Sequence, residues 1–121
     1  MSESSDIAVS GRLTAHETRT DTTSVITLVG EIDDDTGDLL RQALAAPREA
    51  GLHHIVADLG EVTFMDSTGI NIFLTAHQSA HADGGWLRLA GAGVGVVRML
   101  RIVGVDSVIS LHPDVPAALN D

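Results

Sequence analysis

Strand-like and helix-like patterns alternate along this chain, and that alternation restricts it to few folds. The runs SVITLV (24–29), HIVADL (54–59) and WLRLA (86–90) are short, apolar and flanked by glycine or polar residues, as buried strands are. Between them, Leu39, Leu40, Ala43 and Leu44, and then Ile70, Phe73, Leu74 and His77, recur at helical spacing on one face. A strand, a helix and a further strand imply a parallel crossover. The Thr-rich stretch 13–21 alternates weakly and reads as a partly exposed edge strand forming a hairpin with 24–29, which adds antiparallel pairing. The expected architecture is a single α/β domain with a mixed sheet of four to five strands, an N-terminal antiparallel hairpin and about four helices.

Element ends follow from local chemistry. The first helix starts after DDDT (33–36), and Pro47 should end or kink it. The second runs from 67 to about 83 and stops at Gly84-Gly85; the third runs from 94 to 103 and stops at Gly104. A short strand at 108–111 and a last helix at 113–119 complete the order. The strand at 54–59 should be covered on both faces, with 62–65 carrying the chain onward. Residues 1–10 are expected to be a flexible N-terminus, and 11–121 the domain.

Composition excludes several functions. A chain of 121 residues fits one core. Its only aromatic residues are Phe64, Phe73 and Trp86, so the core must be aliphatic and no base-stacking platform can be built. A formal charge of −10 opposes binding to nucleic acid and to anionic membranes. No apolar run approaches the roughly 20 residues needed to span a bilayer, and residues 1–10 do not resemble a signal peptide. A cytoplasmic protein is expected. With no cysteine, disulfides, thiolate zinc sites and cysteine nucleophiles are excluded.

Most candidate chemistry fails on spacing. His77 and His81 have the i, i+4 spacing of a zinc protease, but Gln78 stands where the general-base Glu is needed. GAGVGVV (91–97) lacks the third glycine of a dinucleotide fingerprint, since Val96 occupies it. Ser67 is flanked by Met65 and Gly69, only half of a nucleophile elbow. Asp33, Asp34 and Asp35 precede a helix, where acids favour the dipole; one of them, or Thr36, is expected to cap it. Neither a cofactor nor a metal is expected.

The segment FMDSTGI (64–70) supports two readings together. Asp66, Ser67 and Thr68 can each accept a hydrogen bond from the free N–H groups of a first helical turn. A cap needs one such residue, which leaves at least one hydroxyl over. A hydroxyl at a helix start can also take a phosphate without breaking the helix, the result being a local change of charge.

At these residues the chain resembles the STAS domain, and within it the stand-alone bacterial anti-sigma factor antagonists. VITLVGEID (25–33) resembles the family's second strand; HIVADLGEVTFMDSTGI (54–70) resembles its central strand and phosphorylation motif. GGWLRLAG (84–91) and VVRMLRIVGVDSVI (96–109) resemble its fourth strand and third helix. The resemblance implies a non-enzymatic switch in transcription regulation and stress response. The unphosphorylated form binds an anti-sigma factor that is also a serine kinase and so frees a sigma factor; phosphorylation ends the complex, and a serine phosphatase resets it. The acceptor maps to Ser67. Glu31, Asp33, Asp66, Thr68, Gly69 and Ile70 map to the partner-binding surface. The alternative it leaves is a non-switching STAS subunit of a transporter or stress-sensing assembly.

Overall fold

A computed structural model describes residues 2–120, with side chains from residue 11 onward. Six strands lie in one sheet in chain order: β1 (Ser2–Ser10), β2 (Leu13–Thr20), β3 (Thr23–Ile32), β4 (His54–Met65), β5 (Trp86–Ala90) and β6 (Leu111–His112). The first two pairings are antiparallel and the remaining three parallel. The mixed sheet read from the sequence is thus β2 to β6. Backbone pairing of β1 adds a strand where no element was expected, and it puts β2 inside the sheet rather than at its edge.

The hairpin forms because β2 and β3 meet through a two-residue turn, with Thr20 paired to Thr23 and Asp21 at φ 52°. Aspartate tolerates that left-handed conformation better than most residues. The helices α1 (Gly37–Glu49), α2 (Ser67–Ala82) and α3 (Val94–Ile102) occupy the crossovers after β3, β4 and β5. Their apolar faces contribute Leu40 and Leu44, Phe73, and Val96 and Leu100 to one core with Ile26, Leu28, Ile55, Ala57, Leu87 and Leu89 of the sheet. Fully burying a side chain of this kind contributes about 1.5–3 kcal/mol. Pro47 lies inside α1, which runs on two residues to Glu49 before the chain turns away at Gly51, whose φ is 83°.

A short helix α4 (Val115–Asn120) covers the other face of the sheet, where Ala118 packs with Val56 and Ala90. Ile55, Val56 and Ala57 are therefore all buried, as the apolar run 54–59 predicts. The short strand expected at 108–111 is present but lies later, as β6 at Leu111–His112, after a 3-10 turn at Val105–Ser107 that was not expected. Val105 and Ile109 are buried at a spacing of four, while Val108 is exposed, so this segment follows a helical rather than an alternating period.

Candidate functional site

Parallel pairing of β3 and β4 builds the site. Ile32 pairs with Met65, so Asp33 and Asp66 leave adjacent strands at the same level. Loops at the carboxyl ends of parallel strands are where α/β folds present their functional groups. Two irregularities, between Thr27 and Val29 and between Gly30 and Glu31, each add one residue to β4 relative to β3. A one-residue slip reverses which face a side chain takes. Phe64 follows the second slip and is 48% exposed. Its sequence context as an apolar core residue gives no sign of this.

Asp66 begins α2. Its backbone is extended (φ −109°, ψ −169°), and its carboxylate accepts the Thr68 N–H at 2.9 Å. The Asp66 N–H donates to the Ile32 carbonyl at 3.2 Å, tying the cap to β3. Ser67 is exposed, and its hydroxyl makes no hydrogen bond among the described residues. Thr68 is half-buried, and Gly69 and Ile70 are buried. A Cβ on Gly69 would lie 2.6 Å from Ile32 Cγ2 and 2.7 Å from Met65 Cγ, so only glycine lets the first turn of α2 rest on the two strand ends. Gly69 and Ile70, expected with the others at a partner surface, hold the turn from beneath and offer almost no surface themselves.

Asp33 accepts the N–H groups of Asp35 at 3.0 Å and Thr36 at 3.2 Å, so it caps the turn before α1. Thr36 occupies the N-cap position without capping; its hydroxyl donates to the Glu31 carbonyl at 3.0 Å. Arg12 at the start of β2 bonds both acids, reaching Glu31 Oε1 at 3.0 Å and Asp33 Oδ2. Partial burial of the Asp33 carboxyl raises its pKa, but the Arg12 guanidinium and the two backbone N–H groups outweigh this and hold it below the ordinary range. Arg12 was not singled out in the sequence. Continuing the hairpin register from Thr20 opposite Thr23 brings it opposite Glu31, and that was the available signal.

The other candidates stay apart from this site. His77 and His81 stack on α2 with ring centroids 6.2 Å apart, and among the described residues no three His, Asp or Glu side chains converge as metal ligands. No described helix is long and apolar enough to cross a membrane.

Residues 15–118 match the STAS domain, and the chain belongs to that family. Within it, the chain is 29% identical over 86 residues to the anti-sigma-B factor antagonist of Bacillus subtilis (strain 168), covering 71% of this chain and 78% of that protein. It is 31% identical over 86 residues to the anti-sigma-B factor antagonist of Listeria monocytogenes, covering 71% and 75%. An anti-sigma factor antagonist from Mycobacterium paratuberculosis has a similar crystal structure, with a TM-score of 0.82 and 28% identity over 89% of this chain and 92% of that one.

Proposed function

We propose that this protein is an anti-sigma factor antagonist: unphosphorylated, it binds an anti-sigma factor with serine kinase activity and frees a sigma factor. Phosphorylation on Ser67 ends that complex, and a serine phosphatase restores it. The observation that carries the reading is the division of labour at the head of α2. Asp66 supplies the cap, which leaves the exposed Ser67 hydroxyl unengaged one residue later. The names of the relatives support the same reading.

In this role the chain is a cytoplasmic substrate and binding module rather than an enzyme. The kinase supplies MgATP and a general base. The base takes the Ser67 proton, the oxygen bonds to the γ-phosphorus, and the bond from that phosphorus to the β–γ bridging oxygen breaks, releasing ADP. The docking surface is formed by Glu31, Asp33, Asp66 and Thr68, supported by Gly69 and Ile70, with exposed Phe64 as an aromatic anchor beside them. Phosphate adds about −1.5 to −2 charge there. An unpaired charge of that kind in a desolvated contact costs several kcal/mol.

Capture from source cells with Ser67→Ala and Ser67→Asp tests the reading. A sigma-regulating kinase should be retained by the first and lost from the second. That kinase with MgATP should add one phosphate to the wild type by intact mass and none to Ser67→Ala. Equal retention by both variants would remove the switch, and phosphate on Thr68 would move the acceptor.

A further inference from the structure

Helices α1 and α2 approach closely beside Ser67. A Cβ added to Gly37 on α1 would lie 3.1 Å from Thr68 Cγ2, 3.3 Å from Ile72 Cδ1 and 3.6 Å from Arg41 Nη1. The Arg41 guanidinium and the first turn of α2 therefore flank the same point. From there a groove runs between Arg41 and Arg48 on α1 and Asn71, Thr75 and Ser79 on α2. Ser67 is four residues before Asn71, one turn nearer the start of α2 on the same flank, a spacing at which side chains are about 5–6 Å apart.

We propose that Arg41 is the intramolecular receptor for a phosphate on Ser67, leaving Asp38 to pair with it across the mouth of the α1–α2 groove. This rests on Ser67 being the modified residue, as proposed above. Arg41 is free to move: its side chain is 58% exposed, and among the described residues its one ion pair is with Asp38, which is 90% exposed. Such a pair in water is weak. A phosphate dianion offers the guanidinium a bidentate, charge-assisted partner and displaces a lone exposed carboxylate. The other arginines near the two helices are committed: Arg12 holds Glu31 and Asp33, and Arg48 holds Asp83 at 2.7 Å at the far end of the groove. All seven basic residues of the chain are arginine, so no lysine competes for the role.

The modified surface then differs from the unmodified one in shape as well as charge. The phosphate lies toward α1, and Asp38 loses its counter-ion. A partner that docks on the head of α2 meets a guanidinium–phosphate pair in place of a serine hydroxyl.

The test uses full-length protein with phosphoserine incorporated at position 67 during translation, so that no kinase is required. The second pKa of the phosphate is read by 31P NMR in the wild type, Arg41→Gln and Arg48→Gln. It should be lower in the wild type than in Arg41→Gln by about half a unit or more, because a paired guanidinium favours the dianion. Arg48→Gln should titrate as the wild type does. Asp38, Asp66 and the helix N–H groups are the same in all three proteins and cancel in the comparison. Superimposable wild-type and Arg41→Gln curves, or an equal shift in Arg48→Gln, would overturn the assignment. Failure of every kinase to modify Ser67 would instead sink the proposed function, while leaving the titration readable.

Discussion

The Asp66 carboxylate accepts the Thr68 N–H at 2.9 Å, spanning Ser67 without engaging it. Three adjacent polar residues thereby separate into different roles. One closes the helix, one is exposed, and the half-buried third lies against α1 at Gly37.

Removing the cap should cost stability in proportion to that one bond. Asp66→Ala is expected to lose about 1 kcal/mol, and Asp66→Asn much less, because the amide oxygen can still accept the N–H. Urea titrations of both variants check this; an Ala variant as stable as the wild type would mean that backbone geometry alone starts α2.

Ser67→Ala should leave folding stability within about 0.5 kcal/mol of the wild type, since the exposed hydroxyl has no partner among the described residues to lose. The same denaturation experiment reads it. A loss comparable to that of Asp66→Ala would put Ser67 in the cap after all.

Gly69→Ala tests the close approach of α2 to the strand ends. Alanine improves intrinsic helix propensity by about 1 kcal/mol, yet its Cβ would meet Ile32 and Met65, which are themselves 0% and 3% exposed and have little room to move. Overpacking of this kind costs about 1–3 kcal/mol, so a net loss is expected. A gain in thermal midpoint would show that the first turn can shift outward.

Acid should weaken the turn held by Asp33. Its folded pKa lies below the unfolded value, so the unfolded chain binds the proton more readily. The contribution is present above the unfolded pKa of about 3.9 and fades as pH falls through the folded value. Asp83, held down chiefly by its hydrogen bond from Arg48, adds in the same direction. Urea midpoints measured from pH 7 downward should fall below about pH 4, and less steeply in Asp33→Asn. Identical slopes would mean that Asp33 is equally acidic in the unfolded chain.

Much of the fold is legible in local pattern. β3, β4 and β5 announce themselves as short apolar runs, and α1 and α2 as helical repeats bounded by DDDT, DST and Gly84-Gly85. Asp66 as the cap of α2 was likewise within reach, because capping depends only on neighbouring residues. The 3-10 turn at Val105–Ser107 and the bounds of the short strand after it were not, since segments of two or three residues carry too little periodicity to be placed.

The sequence by itself determined the alternation of elements, the aliphatic core, the acidic surface and the chemistry available at Asp66, Ser67 and Thr68. Only the tertiary structure decided which of these residues face solvent and what stands beside them. The second one-residue slip in β4 puts Met65 rather than Phe64 on the face that buries Val62; strand register places Asp33 level with Asp66 and Arg12 opposite Glu31; the approach of α1 at Gly37 brings Arg41 toward the head of α2. Each of these depends on pairing or packing between segments distant in the chain. A bulge or a shift of one residue reverses such an outcome while leaving the local pattern the same.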